Sequence, residues 1–309
     1  MKITRFCPAK INLFLEVTGR QSNGYHTLAT LFAKINLGDM LTVEVTPAPE
    51  TNIFLQVTGS RGKYIPASSH NLAWKAAQAF LDYYHITAHI HLTLEKNIPT
   101  GAGLGGGSSD AAGVLTALCE IFDKNPLDLI ELATTLGADV ALFLYPNTFL
   151  KGEGIGEKLT PIPAGKVLPS VVLVYPNTAV STKDVFSRLQ LPPQEEILTN
   201  LAKLDKLVHA VQCGIALPEW GQLLFNRLEE QVLPFVPAVK DSLEVLQNIC
   251  KGSCRMSGSG SSVFALVGTD QDARNIAAKM QYTKTQVFTV EFCKEPAHAS
   301  YRNESSFNK

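Results

Sequence analysis

Five glycines crowd into the twelve residues Pro99-Thr100-Gly101-Ala102-Gly103-Leu104-Gly105-Gly106-Gly107-Ser108-Ser109-Asp110. Glycine gives up more backbone freedom on folding than any other residue, so a run this dense points to a loop whose N–H groups wrap closely around a ligand. Such a loop lacks Cβ atoms and admits positive φ, which suits an anion. Downstream, the pattern predicts a helix over 111–122 with Ser108, Ser109 and Asp110 as N-cap side chains. Its N-terminus would add free donors and about half a positive charge. Upstream, Ile90, Leu92 and Leu94 alternate with His89, His91, Thr93 and Glu95, a half-buried strand over 88–95. Strand, glycine loop and helix make a phosphate-binding unit. It is not a Walker A loop, because no Gly-Lys-Ser/Thr follows the glycines. Glycines 101, 103 and 106 do spell Gly-x-Gly-x-x-Gly, but a dinucleotide fold also needs a second strand ending in an acid, and residues 126–136 read as a helix.

Other residue types able to do chemistry are scattered around this unit. From Ile11 to Val17 apolar residues recur at every second position, so Lys10 and Asn12 share one face of a strand. Exposed decoration and a functional pair are both open there. Asp139 follows a helix stop at Gly137 and precedes the apolar run 141–144, where a cap or turn role competes with a chemical one. Lys96 reads as a snorkelling surface lysine or as a contact to the nucleotide. Tyr25 and His26 end a turn-rich loop and are either structural or a platform for a planar ligand.

The elements that position these residues follow in order. Strands are expected at 28–36 and 39–45, loops with room for one short strand over 47–66, and a helix over 71–84 with Leu72, Ala76, Phe80 and Tyr83 as its core stripe. Asn125 caps a helix from Pro126, and Gly152, Gly154 and Gly156 mark a loop. A strand at 171–175, a helix from Ser181 carrying Phe186, helices over 195–249, a small-residue loop at 255–263, a strand at 263–267, a helix at 270–280 and a strand at 286–292 complete the pattern. Strands and helices in both halves give two α+β lobes. We divide the chain into 1–165, 166–295 and a polar tail, 296–309, expected to fray.

With 45% hydrophobic and 18% charged residues and a net charge of −1, the 309-residue chain is an ordinary globular protein with no basic run for nucleic acid and no apolar stretch of membrane-spanning length. Six scattered cysteines and an N-terminus without secretory character point to the cytoplasm. Cys250 and Cys254 lack a second pair or a histidine for a zinc site. The sequence gives no sign of an obligate protein partner.

The segment 99–110 resembles the second motif of the GHMP small-molecule kinases, and Ser257-Gly258-Ser259-Gly260 is similar to their third. Pro8-Ala-Lys-Ile-Asn-Leu13, Gly24-Tyr-His-Thr-Leu28, the glycine loop, Gly137-Ala-Asp-Val140 and Ser257-Gly-Ser-Gly-Ser261 stand in the order of one branch of that family. That branch phosphorylates the CDP-linked methylerythritol of the non-mevalonate isoprenoid route. The resemblance spans residues 1–295 and implies a two-lobed GHMP kinase fold, with an ATP-binding α/β domain and a smaller C-terminal α+β domain. It further implies a catalytic pair, Lys10 and Asp139, with Asp139 accepting the proton of the acceptor hydroxyl. Lys96 and residues Pro99, Thr100, Gly101, Ala102, Gly103, Leu104, Gly105, Gly106, Gly107, Ser108 and Ser109 would hold the triphosphate. Tyr25, His26 and Phe186 would hold the cytosine, and Asn12 and Thr182 the phosphates or sugar alcohol. ATP is the implied co-substrate with Mg²⁺, whose ligands the motifs do not name. Ser108 and Ser109 read as helix caps more readily than as magnesium ligands. One departure is Ala141, where the family often has proline; it changes backbone stiffness near Asp139 and removes no chemistry. Homoserine or mevalonate-type alcohols are alternative acceptors, and a non-catalytic nucleotide-binding protein is a third reading that the retention of Lys10 and Asp139 opposes.

Overall fold

The computed structural model describes residues 1–250, 252–280, 284–294 and 300–301. The chain opens with a long antiparallel hairpin of β1 (Lys2–Arg20) and β2 (His26–Pro47), in register from Lys2↔Glu44 to Arg20↔His26. Then come β3 (Asn52–Thr58), α1 (Leu72–Tyr84), β4 (Ala88–Glu95), α2 (Gly106–Ile121), α3 (Ile130–Leu136), α4 (Val140–Leu144), β5 (Phe149–Glu153) and β6 (Lys158–Ile162). Strands run in the order β1-β2-β4-β3, with β5 on β2 and β6 on β5.

The chain leaves this sheet after Ile162 and enters a second one at β7 (Ser170–Tyr175). It continues through α5 (Thr182–Arg188), α6 (Gln194–Cys213), α7 (Leu217–Trp220), β8 (Phe225–Asn226), α8 (Glu229–Val232), α9 (Pro237–Cys250), β9 (Cys254–Met256), β10 (Val263–Val267), α10 (Asp270–Met280), β11 (Gln286–Val290) and β12 (Ser300–Tyr301). The second sheet is antiparallel in the order β11-β7-β10-β9. Two strands return to the first sheet: β8 lies parallel to β1, and β12 pairs with its start. Ser300 and Tyr301 are the described part of the segment 296–309; the rest of that expected tail lies outside the described residues.

Every residue of β1 from Cys7 to Val17 is buried. α2 covers the strand near Cys7, where a Cβ on Gly113 would come within 2.5 Å of the Cys7 thiol. α6 covers Ile11 and Leu13 through Leu204, Leu207 and Ala210, in a core that continues into Val171, Leu173 and Phe264 of the second sheet. α9 and α10 close the far face of that sheet on Val172, Val174 and Ala265. Burial on both sides explains why Asn12, Phe14 and Glu16, which alternate with the apolar residues of β1, are also inside. The pairing of β1 with β2 shifts register between Pro8 and Ala9, Asn12 and Phe14, and Val17 and Gly19. Such irregularities bend a strand and re-aim its side chains.

Several local expectations are corrected. β2 is one continuous strand where two were expected, and β3 is the short strand that the 47–66 region allows. Tyr83, expected in the stripe of α1, is 52% exposed, because the buried face runs from Phe80 to Tyr84 instead. Gly152 lies in β5 rather than in a loop; Phe32 packs so closely over it that a Cβ would meet the ring at 2.7 Å. Within the expected loop 255–263, residues 255–256 belong to β9.

Candidate active site

The glycine loop between β4 and α2 is built on three left-handed glycines, Gly101, Gly103 and Gly105, with φ of +64°, +74° and +70°. α2 begins at Gly106 with Gly105 as its N-cap and no side-chain cap bond. Ser108, Ser109 and Asp110 are therefore inside the helix and not caps, which corrects the expected start at residue 111. A glycine in the left-handed region makes the turn at no steric cost, so the backbone needs no capping side chain. Gly103 also permits a close approach: a Cβ there would lie 2.1 Å from the Ser257 carbonyl. The second small-residue loop docks directly on the first, with Ser257 Oγ donating to Gly103 O at 3.1 Å and Ser262 N to Ala102 O at 3.1 Å.

Lys10 projects from β1 against this junction, and its backbone N–H donates to Leu104 O at 3.0 Å. Its ammonium donates to Asn12 Oδ1 at 2.8 Å and lies 3.6 Å from Asp139 Oδ2. Asn12 Nδ2 donates to Thr30 Oγ1 at 2.9 Å, and that hydroxyl donates to Phe14 O at 2.6 Å. Lys10, Asn12 and Thr30 are buried, whereas the Asp139 side chain is 33% exposed. A buried cation held from behind by an amide presents its remaining donors toward a carboxylate that reaches solvent. That arrangement can take a proton from an alcohol at Asp139 and stabilise the resulting oxyanion at Lys10. Asp139 precedes α4 without capping it by a side-chain bond, and Ala141 is buried in that helix.

Lys96 is neither snorkelling nor free. It is buried and bonded to Asp39 and to Asp110 Oδ2, the latter at 2.6 Å. Burial, reinforced by the Asp39 charge, pushes the Asp110 carboxyl up to about 8 against the pull of Lys96. Asp39 Oδ1 also accepts the Ile98 N–H at 2.8 Å, so the cluster ties β2, the start of the glycine loop and α2 together.

On the opposite wall, the His26 and Phe186 rings lie 5.4 Å apart, tilted by 31°. Tyr25 stands beside them, 62% exposed. Phe186 is thus paired with His26. Burial, with the nearby Arg20 charge, lowers the pKa of His26, so its ring is neutral at pH 7. Thr182 Oγ1 shares a 2.7 Å hydrogen bond with Ser259 Oγ, joining this wall to the second glycine loop. Lys10, Asn12, Tyr25, His26, Lys96, residues 99–108, Asp139, Thr182 and Phe186, but not Ser109, line one cleft of about 1100 Å³. Its further wall, Ile65, Pro66, His70, Asn71 and Leu72 beside the glycine loop, carried no motif in the sequence. Neither did Thr30.

Two docked glycine loops across a two-lobed α+β fold define a GHMP-type small-molecule kinase. The model for the GHMP kinases N terminal domain matches residues 71–147, and that for GHMP kinases C terminal matches 207–284. The 4-diphosphocytidyl-2-C-methyl-D-erythritol kinase of Deinococcus radiodurans is 38% identical over 89% of this chain and 87% of its own length. That of Citrifermentans bemidjiense is 36% identical over 90% and 94%. A crystal structure of a 4-(cytidine 5'-diphospho)-2C-methyl-D-erythritol kinase superposes with a TM-score of 0.71 at 33% identity, over 93% of this chain and 98% of that one. A homoserine kinase from Cytophaga hutchinsonii shares the fold, with a TM-score of 0.71 at 17% identity over 97% of each chain. The chain belongs to the 4-diphosphocytidyl-2-C-methyl-D-erythritol kinase family. Among the described residues, no helix is long and apolar enough to cross a membrane.

Proposed function

We propose that the protein transfers the γ-phosphoryl group of ATP to the 2-hydroxyl of 4-diphosphocytidyl-2-C-methyl-D-erythritol, releasing ADP and the 2-phosphate, in the cytoplasm. One observation carries the reading: the Lys10–Asp139 pair sits in the same cleft as the glycine loop and the His26–Phe186 shelf. In this reading residues 99–109 hold the triphosphate through backbone N–H groups and the α2 N-terminus. The apolar wall at Ile65 and Pro66 takes the adenine. Lys96 contributes by clamping the floor of that site. Tyr25, His26 and Phe186 hold the cytosine, and Asn12 and Thr182 flank the sugar alcohol and its phosphates. Asp139 takes the hydroxyl proton, and Lys10 orients that carboxylate and stabilises the charge left on oxygen. Positioning and charge neutralisation supply most of the remaining acceleration. We assign 1–165 to the ATP-binding lobe and 166–295 to the substrate lobe, with β8 returning to the first.

Magnesium takes oxygen ligands, one or two from carboxylates and the rest from phosphates and water. The Ser108 hydroxyl, which lines the cleft beside the loop, is one oxygen of that kind, with the triphosphate and water to supply the rest. When bound, the ion would neutralise charge on the transferred phosphoryl group.

The test is an ADP-release assay with MgATP and four acceptors: the CDP-linked methylerythritol, free methylerythritol, homoserine and mevalonate. Turnover confined to the CDP-linked alcohol is expected. Turnover with a nucleotide-free acceptor would discard the substrate and keep the family. ATP binding without turnover on any acceptor would discard the kinase reading.

A further inference from the structure

The segment Asn226-Arg227-Leu228-Glu229 joins β8 to α8 and grips the second glycine loop. Asn226 is buried, and its amide nitrogen donates to Met256 O at 2.7 Å and to Gly258 O at 2.8 Å. Its oxygen accepts the Leu228 N–H at 2.9 Å, so the donors and an acceptor site of the side chain are all used. Glu229 Oε1 accepts the Met256 N–H at 2.7 Å, fixing the other edge of the same residue. Asn226 is itself anchored on the strand that carries Lys10: it pairs with Leu15, and the Arg227 N–H donates to Leu15 O at 2.8 Å. Gly258 sits at φ +56°, where an added Cβ would lie 3.2 Å from Lys10 Nζ.

In a trans peptide the carbonyl and the following N–H point in opposite directions. With the Gly258 carbonyl drawn into the protein by Asn226, the Ser259 N–H is turned away from Asn226. Gly258 and Ser259 both line the cleft. We infer that Asn226 is a positioning residue for phosphoryl transfer: it sets the Gly258–Ser259 peptide so that the Ser259 N–H faces the cleft as a donor to a phosphate oxygen. The kinetic part of this inference rests on the function proposed above. Were the peptide free to turn over, a carbonyl oxygen would face the phosphates in place of a donor. Loss of one such preorganised donor lowers kcat by about 10²–10³-fold.

The test compares Asn226→Ala and Asn226→Asp with Val239→Ala, a cavity variant in the α9 core that removes none of the hydrogen bonds of Asn226. Asn226→Asp keeps the shape of the side chain, but its carboxylate offers only acceptors to the two carbonyls. Both Asn226 variants are expected to lose about 100-fold in kcat with ATP affinity within about twofold of wild type. Val239→Ala should keep its kcat at a comparably lowered melting temperature. Losses below about threefold in both Asn226 variants, or an equal loss in Val239→Ala, would overturn the inference. A second readout needs no acceptor: titrating inorganic pyrophosphate into the ¹⁵N-labelled wild-type protein should shift the Ser259 amide resonance. A Ser259 amide that stays still while other cleft amides move would refute the role even if the variants fail to fold. If the wild type does not turn over the CDP-linked alcohol, the proposed function falls. The pyrophosphate titration then decides the Asn226 inference alone.

Discussion

Replacing Asp139 by asparagine separates the chemistry of the site from its architecture. The amide matches the carboxylate in size and keeps an oxygen for Lys10, which lies 3.6 Å from Asp139 Oδ2 and is also held by Asn12 at 2.8 Å. It cannot take a proton. General-base assistance contributes about 10²–10⁴-fold, so kcat should fall by that factor, or about 2.7–5.4 kcal/mol of barrier. The structural cost is small by comparison. With Asp139 one-third exposed, the ion pair has a net worth of about 1 kcal/mol or less, and the melting temperature should drop by only about 2–4 °C. ATP affinity, set by the 99–109 loop, should move less than about threefold. Rapid-quench single turnover reads the chemical step, and calorimetry reads ATP binding. A single-turnover rate within tenfold of wild type would refute the assignment of Asp139 as base. Lys10→Met should cost a similar factor, and the double variant little more than either alone, because groups acting on one proton transfer are not additive.

Glu16→Gln breaks a buried bidentate pair with Arg227, both contacts at 2.8 Å, and should cost about 3–5 kcal/mol in urea unfolding, whereas Glu16→Leu combined with Arg227→Met should recover most of it. His26→Ala and Phe186→Ala should each raise the KM for the cytidine-bearing acceptor about tenfold and leave the KM for ATP unchanged, since a base stacked on an aromatic ring is worth about 1–3 kcal/mol. Asp110, with its carboxyl raised to about 8 by burial, keeps its proton in the fold over a range where the unfolded chain has lost it, so stability should decline as pH rises toward 8. Asp110→Asn should flatten that decline between pH 6 and 9, measured by urea midpoints; equal slopes in the two proteins would contradict the buried, proton-holding state.

Much of the architecture is legible where one period dominates. β4 occupies the alternating segment 88–95 residue for residue, and α10 the segment 270–280. β1 is only partly legible, because a strand covered on both faces loses the alternation that marks one. The start of α2 was misplaced for a different reason: a backbone-only glycine cap leaves no side-chain signature, while the serines that resemble caps sit inside the helix. For the site, the glycine loop, Lys10, Asp139 and His26 stand in ordered motifs and meet in one cleft, which Phe186 also lines. Thr30 and Asn226 stood in none of those motifs. Their roles exist only as contacts to strands and loops far along the chain, and no local spacing encodes those. Lys96 shows the limit within a motif: sequence places it beside the loop, but its buried partners Asp39 and Asp110 come from β2 and α2.

The link between Glu16 and Arg227 also sets a schedule. The two residues are 211 positions apart, so the carboxylate on β1 is synthesised long before the cation that neutralises it. At about 5–20 residues per second on the ribosome, that interval is about 10–40 s. During it, β1 also lacks β8 and the α6 residues that cover Ile11 and Leu13. The strand that carries Lys10 is therefore among the first parts of the protein to be made and among the last to be finished. A nascent chain halted anywhere before residue 227 would hold Lys10 on an incomplete and aggregation-prone strand.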